Sequence, residues 1–295
     1  MDGTENRRSW GVEQRLEFVE FRLFWDGIIN RSDITERFGV SVPQASNDLA
    51  AYRELAPENL AYDTSAKRYV VTEVFKPRFL EPNPDRYLAQ LKAIADGIIT
   101  VEDTWITKGP DWDVLPLPSR RLNPDILRGL LRAIRQGLAL EIHYQSMNPD
   151  KPAPSWRWIT PHALAFDGFR WHTRAFCHRR KDFVDFVINR CLGIGKIKDT
   201  PMRAQEDWKW QTTFDVILKP NPKLTKGQQR AIELDFGMTK DEAVLPIRYA
   251  LLYYFCKRFH LDDARQSDDP RDNPVIVANR KDFNEALSKA SSNST

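Results

Sequence analysis

Residues 32–55 read SDITERFGVSVPQASNDLAAYREL, and their spacing predicts two short helices joined by a tight turn. Ser32 is the expected N-cap of the first helix, Asp33 to Phe38, and Gly39 is the small residue that such a turn needs. Ser41 is the expected N-cap of the second helix, which continues to about Leu55. The stretch therefore predicts a helix-turn-helix.

The sequences on both sides of this stretch extend the pattern. Residues 12–25 predict a preceding core helix with four apolar residues on one face, namely Leu16, Val19, Leu23 and Phe24. Residues 60–72 (LAYDTSAKRYVVT) predict a β-hairpin with strands over 60–63 and 68–72. Helices followed by a hairpin are typical of a winged helix-turn-helix, although an ordinary helical hairpin in a protein core remains the alternative.

The exposed side of the second helix has the composition of a DNA-reading surface. Its candidate base-contacting residues are Ser41, Val42, Pro43, Gln44, Ser46 and Asn47. Gln and Asn amides can pair with adenine edges, and serine hydroxyls can donate to bases or phosphates. The candidate phosphate contacts are Arg53 and, at the hairpin, Lys67 and Arg68. Because residues 1–80 carry a net charge of −2, affinity must come from local positive patches and from two copies per complex.

The length of 295 residues predicts about two or three domains. Three prolines within residues 77–84 mark the first boundary, so we assign residues 1–80 to the winged helix-turn-helix and residues 81–122 to a helical, proline-rich connector. The remaining chain divides into a β-rich domain over residues 123–200 and an α+β domain over residues 201–295.

The β-rich domain begins with a change of period. After a helix capped by Asn123-Pro124, Leu140, Ile142 and Tyr144 alternate with polar residues. Further strands are predicted over residues 156–166, 169–177 and 183–190. Several short strands in sequence favour a small barrel. The C-terminal part is expected to contain a strand over residues 213–218 and helices over residues 225–235 and 247–259.

Composition excludes several classes of protein. The chain is 41% hydrophobic and 29% charged, as in soluble globular proteins, and no apolar run approaches the roughly 18 residues of a membrane span. The N-terminus lacks the apolar region of a signal peptide, so we expect a cytoplasmic protein. The three cysteines are scattered and form no CxxC pair. We expect neither a disulfide framework, nor a metal site, nor a cofactor.

Positive charge is concentrated in residues 121–200, where 14 basic and seven acidic residues give a net charge of +7. Four of the five histidines lie in the same segment. In the strand over residues 169–177, alternation places Arg170, His172 and Arg174 on one face. Such a row of donors suits a ligand with phosphate and base groups, because guanidinium groups pair with phosphates while rings stack on bases. A solvated sheet face is the alternative interpretation.

Motifs for catalysis are absent from the sequence. It contains no GxSxG, no glycine-rich phosphate loop and no HExxH, and its carboxylates occur in charge-balanced surroundings. We therefore expect no enzymatic activity, with a nuclease as the best enzymatic alternative.

Four segments carry a family resemblance, namely GVSVPQASNDLAAYREL (39–55), LEIHYQS (140–146), WRWITPHALAFDGFRWHTRAF (156–176) and DFVINR (185–190). Together with the order of the domains, they resemble the WYL-domain transcription regulators of bacteria, and more narrowly the CapW/BrxR type that represses phage-defence operons. The name-giving Trp-Tyr-Leu corresponds here to Trp171-His172-Thr173, of which only the tryptophan is retained.

The resemblance implies a multidomain α+β fold in which residues 123–200 form an Sm/SH3-like five-stranded barrel that senses a ligand. It also implies that residues 201–295 are a WCX-like extension that supports a homodimer. The protein would repress transcription at an inverted-repeat operator in double-stranded DNA and be released by an anionic ligand, either nucleic acid or nucleotide. The implied ligand-binding residues are Tyr144, Ser146, Arg157, His162, His172, Arg174 and Arg190. A module that binds RNA or single strands through the basic barrel is the main alternative function.

Overall fold

The computed structural model describes residues 10–107, 109–116, 118, 121–150, 152–261 and 269–291. The chain divides into two compact units, residues 1–119 and residues 120–295, which are described separately. Both units combine helices with antiparallel sheets, which confirms the predicted mixture of α and β elements.

The first unit contains the predicted helix-turn-helix and hairpin. Its helices are α1 (Trp10–Asp26), α2 (Arg31–Phe38), α3 (Val42–Leu55) and α4 (Pro84–Ala95), and its strands are β1 (Ile28–Ile29), β2 (Leu60–Asp63) and β3 (Arg68–Val71). The three strands form one antiparallel sheet in the order β1-β3-β2. Strand β1 has only two residues, too few to show a period in the sequence, and we did not predict it.

The ends of the two central helices follow from local chemistry, with one correction. Helix α2 is capped by Asn30 and not by Ser32, because the backbone N–H of Asn30 donates to the Asp33 carboxylate at 2.6 Å in a capping box. Gly39, with a φ of 64°, ends α2 in the left-handed conformation that glycine adopts at least cost. Ser41 caps α3 as predicted, since its Oγ accepts from the backbone N–H of Gln44.

The core of the first unit is built on α1. Leu16, Val19 and Leu23 are fully buried as predicted, but Phe24 keeps 40% of its surface exposed. Glu20 is also fully buried, and its carboxylate accepts from the Tyr52 hydroxyl at 2.9 Å and from the backbone N–H groups of residues 78–80 at 2.6 to 2.9 Å. One carboxylate thus fastens the chain that follows the wing to the first helix.

The segment that we assigned to a connector also contributes to this unit. Helix α4 and the 3-10 turn Val101–Asp103 follow one another, and Leu91 and Ile106 pack against Phe21 of α1. Trp25 stacks on Tyr87 with ring centroids 4.5 Å apart. Residues 109–116 and 118 have no regular helix or strand, in agreement with their proline content.

The second unit begins with helix α5 (Pro124–Gln136), which packs on a five-stranded sheet. The strands are β4 (Ala139–Tyr144), β5 (Ser155–Phe166), β6 (Trp171–Cys177), β7 (Asp182–Val187) and β8 (Cys191–Lys198). Their order is β7-β6-β5-β4-β8, and every neighbouring pair is antiparallel. The predicted small Sm/SH3-like barrel is not confirmed, because the sheet is not closed: no pairing joins β7 to β8 in the described residues.

The C-terminal part of this unit is a second α+β layer. It comprises α6 (Trp208–Gln211), β9 (Thr213–Pro220), α7 (Lys226–Asp235), β10 (Ala243–Arg248), α8 (Leu252–Arg258), β11 (Val275–Val277) and α9 (Arg280–Ser291). The sheet order is β10-β9-β11, and the helices cover it around Val216, Leu252 and Phe283.

Two expectations for this layer need correction. Helix α8 begins at Leu252 and not at residue 247, because Ile247 and Arg248 still pair with β9. We did not predict β11 or α9. Within the described ranges, no helix combines the length and apolar character needed to cross a membrane.

We predict that Glu20→Ala lowers the free energy of unfolding of the first unit by at least about 3 kcal/mol, measured by urea denaturation. The substitution leaves the Tyr52 hydroxyl and the backbone N–H groups of residues 78–80 without their acceptor. Glu13→Ala is the matched control on the exposed side of the same helix and should change stability by about 0.5 kcal/mol or less. Equal losses in the two variants would contradict this role of Glu20.

Candidate nucleic-acid interface and ligand site

The six candidate base-reading residues lie at the N-terminal end of α3. Ser41, Val42, Pro43 and Asn47 are exposed, whereas Gln44 and Ser46 are half-buried. The opposite side of the helix is buried through Ala45, Leu49 and Tyr52. The helix therefore has one packed face and one polar, accessible face, as a recognition helix requires.

Side-chain contacts hold part of this face in place. The Arg15 Nε donates to Asp48 Oδ2 at 2.6 Å, which ties α3 to α1. Asp48 Oδ1 accepts from Gln44 Nε2 at 3.1 Å. The Gln44 amide is thus oriented by a buried ion pair before any DNA is bound, and its carbonyl oxygen has no protein partner in the described part of the chain.

Arg31 is a candidate DNA contact that sequence reasoning missed. It is exposed at the first position of α2, and its guanidinium donates to Ser46 Oγ on α3 at 3.4 Å. Ser46 Oγ in turn donates to the Val42 carbonyl at 2.9 Å. In helix-turn-helix proteins the first helix crosses the DNA backbone. A basic residue at the start of that helix could therefore have been predicted from the sequence as a phosphate contact.

The predicted phosphate contacts lie on α3 and on the hairpin. Arg53 and Lys67 are exposed, and Lys67 has a φ of 51° at the turn between β2 and β3. Arg68 is half-buried, and its Nε has no hydrogen-bond partner among the described residues. The hairpin therefore carries two neighbouring cations at the position of a wing.

The seven predicted ligand residues form two groups in the second unit. The first group, Tyr144, Ser146, Arg157 and Arg190, lies near the ends of β4, β5 and β7. The Tyr144 hydroxyl accepts from the Val187 N–H at 3.2 Å, and the Arg157 guanidinium lies 5.1 Å from the centroid of the Tyr144 ring. Burial raises the pKa of Tyr144, so the phenol remains neutral at physiological pH.

Arg157 is a buried cation without a neutralising carboxylate among the described residues. It is 8% exposed, it donates from one terminal nitrogen to Ser155 Oγ at 3.1 Å, and its Nε has no partner in the described residues. Burial, together with the nearby charges of Arg179 and Arg180, lowers its pKa. Buried charges are normally paired, so this guanidinium is suited to an external anion.

The second group, His162, His172 and Arg174, faces carboxylates of this same chain. Arg174 donates from Nε and from a terminal nitrogen to the two oxygens of Asp207, at 2.7 and 3.0 Å, and His162 Nε2 lies 3.0 Å from Asp207 Oδ2. Burial favours the protonated carboxyl, but the bonds from His162 and Arg174 outweigh it and lower the pKa of Asp207 from 3.8 to about 2. Asp207 is therefore a buried carboxylate anion.

Tyr254 continues this network into α8. Its hydroxyl donates to Asp185 Oδ2 at 3.1 Å, while Arg174 approaches Asp185 Oδ1 at 3.4 Å. Burial raises the pKa of Asp185 despite these contacts. His172 lies 2.8 Å from Asp167 Oδ2 and packs against the Tyr254 ring at 4.9 Å. The predicted row of donors thus joins the sheet to the C-terminal layer. A contact of these three residues with a ligand stays a prediction.

We predict that Asp207→Asn lowers the free energy of unfolding of the second unit by about 3 to 5 kcal/mol, because it removes the closer of the two carboxylates that neutralise the buried Arg174 charge. Since the folded pKa of Asp207 lies below the unfolded one, its stabilisation is complete above about pH 4 and is lost as the pH falls towards 2. Urea denaturation at several pH values measures both effects.

The control for this prediction is Asp241→Asn, which removes an exposed ion pair with Lys219. It should cost about 0.5 kcal/mol or less. The prediction fails if the Asp207 and Asp241 variants are equally stable, or if the Asp207 variant keeps the acid dependence of the original protein between pH 4 and 2.

Three parts of the chain match known domain families. Residues 11–93 match the winged helix-turn-helix domain of the BrxR transcriptional regulator, residues 125–194 match the WYL domain, and residues 213–283 match the C-terminal dimerization domain of the BrxR regulator. The three matches follow the order of the winged unit, the five-stranded sheet and the C-terminal layer.

Curated relatives match almost the whole chain. The DNA-binding transcriptional repressor CapW of Stenotrophomonas maltophilia is 40% identical over 274 residues, which cover 92% of this chain and 91% of the relative. The repressor of the same name from Pseudomonas aeruginosa is 41% identical over 281 residues, which cover 94% and 92%. That from Escherichia coli (strain KTE188) is 38% identical over 274 residues, which cover 93% and 91%. The chain therefore belongs to the CapW/BrxR family of WYL-domain transcriptional regulators.

Proposed function

We propose that the protein is a homodimeric, sequence-specific DNA-binding repressor that an anionic ligand releases from its operator. The observation that carries this proposal is the similarity to curated repressors over more than nine-tenths of the chain. The regulated genes are those of a phage-defence operon, and the protein acts in the cytoplasm. The alternative function of a nuclease has no support in the site geometry described above.

DNA recognition is assigned to residues 1–80. The base-reading residues are the six on the exposed side of α3, Ser41, Val42, Pro43, Gln44, Ser46 and Asn47. Arg53, Lys67 and Arg68 contact phosphates, and Arg31 joins them because it lies beside Ser46. Exposed Val42 adds an apolar group of the kind that contacts the thymine methyl.

Dimerization is assigned to residues 201–295, following a connector over residues 81–122. The support is the match of residues 213–283 to a dimerization domain. Two copies place two recognition helices on the half-sites of an inverted repeat, and linkage raises the effective concentration of the second helix. The higher effective concentration compensates for the weak DNA affinity expected from the net charge of −2 in residues 1–80.

Effector binding is assigned to the sheet domain, residues 123–200. The support is Arg157, which is buried, lacks a carboxylate partner in the described residues and packs on Tyr144. Ser146 and Arg190 lie on two adjacent backbone segments of the same domain. These segments are joined by a hydrogen bond from the backbone N–H of Gln145 to the Arg190 carbonyl at 3.0 Å. An anion bound here releases DNA only if it binds the released state more tightly than the repressing state.

One observation favours the alternative of single-strand binding. Trp156 is 52% exposed and stacks on His143 with ring centroids 4.9 Å apart, and the Lys198 ammonium lies 4.2 Å from the Trp158 ring. Exposed rings beside cations can bind single-stranded bases. In an electrophoretic shift assay, this alternative requires preference for single strands over the upstream duplex of the protein's own operon.

We predict that Gln44→Ala and Asn47→Ala each reduce the discrimination between operator and scrambled duplex by about 1 to 3 kcal/mol, as expected for one lost bidentate base contact. Fluorescence anisotropy with labelled duplexes measures this ratio. An unchanged ratio in both variants would show that α3 does not read bases.

The matched control is Lys67→Ala, which removes a phosphate contact from the wing. This variant should weaken binding to both duplexes alike and reduce the slope of log affinity against log salt by about one. A selective loss of operator binding in the Lys67 variant would move base recognition from α3 to the wing.

We predict that Arg190→Gln keeps operator binding near normal but prevents release by the natural inducer, giving a super-repressor in a promoter-reporter assay. One charge-assisted bond is worth about 1.5 to 3 kcal/mol, which is comparable to the coupling of about 2.7 kcal/mol that a hundredfold preference supplies. Lys196→Gln, an exposed change in β8, should respond to inducer normally. Constitutive expression with a folded Arg190 variant would instead assign Arg190 to DNA binding or dimerization.

A further inference from the structure

A cleft of about 360 Å³ separates the five-stranded sheet from the C-terminal layer. Arg174, Arg180 and Phe183 line it from the β6–β7 side, and Lys209, Tyr249 and Tyr253 line it from the C-terminal side. Of the seven predicted ligand residues it contains only Arg174, and none of Tyr144, Ser146, Arg157 and Arg190, so it is distinct from the effector site assigned above.

Two cations in this cleft lack carboxylate partners in the part of the chain that the structure describes. Lys209 is only 4% exposed, and its ammonium donates to the Ala290 carbonyl at 2.7 Å. Within the described residues it forms no ion pair, although an ammonium has three N–H donors. The guanidinium of exposed Arg180 has no hydrogen-bond or ion-pair partner there either. Arg174, by contrast, is already neutralised by Asp207 and Asp185.

The rest of the lining contains aromatic rings, small residues and the Asp185 carboxylate, which donors of this chain already contact. Tyr253 is 54% exposed, and Tyr249 and Phe183 are half-buried. Tyrosine rings offer flat faces for stacking, and the volume is in the range of small-molecule pockets. A free phosphate ion would neutralise the two cations but leave most of the aromatic surface uncovered. A ligand that fits carries both an anionic group and a planar ring.

We propose that this cleft binds a nucleoside phosphate, with the phosphate against Lys209 and Arg180 and the base against Tyr253 and Tyr249. The cleft adjoins the buried contacts that join the sheet to α6 and α8. A bound nucleotide therefore touches both layers of the second unit. This site goes beyond the proposed repressor function and does not depend on it, since it requires no DNA.

The test is isothermal titration calorimetry of the full-length protein at low salt. The probes are the 5′-monophosphates of adenosine, guanosine, cytidine and uridine, with pyrophosphate and adenosine as partial ligands. At least one monophosphate should bind about tenfold more tightly than either partial ligand, because only it fills both parts of the cleft. Absence of binding by all four monophosphates overturns the proposal.

Variants place the nucleotide in the cleft. Arg180→Gln should weaken monophosphate binding about tenfold or more, through loss of a charge-assisted contact. Arg179→Gln, the neighbouring exposed arginine that does not line the cleft, should change it less than about twofold. Tyr253→Ala should weaken monophosphate binding but leave pyrophosphate binding unchanged.

Three results overturn this placement, namely equal effects of the Arg179 and Arg180 variants, no effect of Tyr253→Ala, or loss of binding in Arg190→Gln with normal binding in Arg180→Gln. Lys209→Met is informative only if circular dichroism shows a folded protein. The Arg180 and Tyr253 variants test the placement of the nucleotide in the cleft without it. Operator affinity of the same preparation, measured by anisotropy, reports separately on the repressor function. Failure to bind operator with normal nucleotide binding would reject the repressor function and not the cleft.

Discussion

The second unit depends on the buried ion pair between Arg174 on β6 and Asp207 at the start of α6. Removing two charges from water costs several kcal/mol per ion, and the cost is recovered only when the remaining hydrogen bonds are satisfied. Asp207 meets this condition because it accepts from Arg174 and His162 and also caps α6 through the Trp210 N–H. Since those donors come from the sheet and from the next layer, the pair fixes how the two layers meet.

The first unit solves a similar problem with a different donor set. Within the described part of the chain, no buried cation pairs with Glu20, which instead accepts from the backbone of residues 78–80 and from Tyr52. Backbone N–H groups are obligatory donors, and a segment without regular structure must satisfy them elsewhere. In both units a buried carboxylate thus fastens one segment of the chain to another.

Sequence reasoning was successful where the signal is local. The Ser41 cap, the helix-turn-helix, the hairpin and the alternation of Leu140, Ile142 and Tyr144 follow from residues within a few positions of one another. The exchange of Ser32 for Asn30 as a cap shows the limit, since both residues have capping side chains and only the position of Asp33 favours Asn30. Strands as short as β1 and β11 carry too few residues to show a period.

The candidate ligand site was harder to predict, because a basic residue does not reveal its partner. Alternation correctly placed His172 and Arg174 on one face of β6, but Asp207 lies 33 residues from Arg174 along the chain. Tyr254 lies 69 residues from Asp185. The charge of +7 in residues 121–200 therefore combined two kinds of cation, those neutralised by distant carboxylates and those without such partners, and only the folded arrangement separates them.

The contacts of His172 give a physical reason for the histidine that stands in place of the tyrosine of Trp-Tyr-Leu. His172 lies within 2.8 Å of Asp167, and Asp167 also accepts from the backbone N–H groups of Phe169 and Arg170, so one carboxylate shapes the β5–β6 turn and holds the imidazole. The bonds from His172 and these backbone groups outweigh burial and lower the pKa of Asp167. The imidazole is also packed against Tyr254 of α8. The residue at the centre of the motif therefore connects the turn of the sheet to the C-terminal layer, and a change in the sheet that moves His172 must also act on α8.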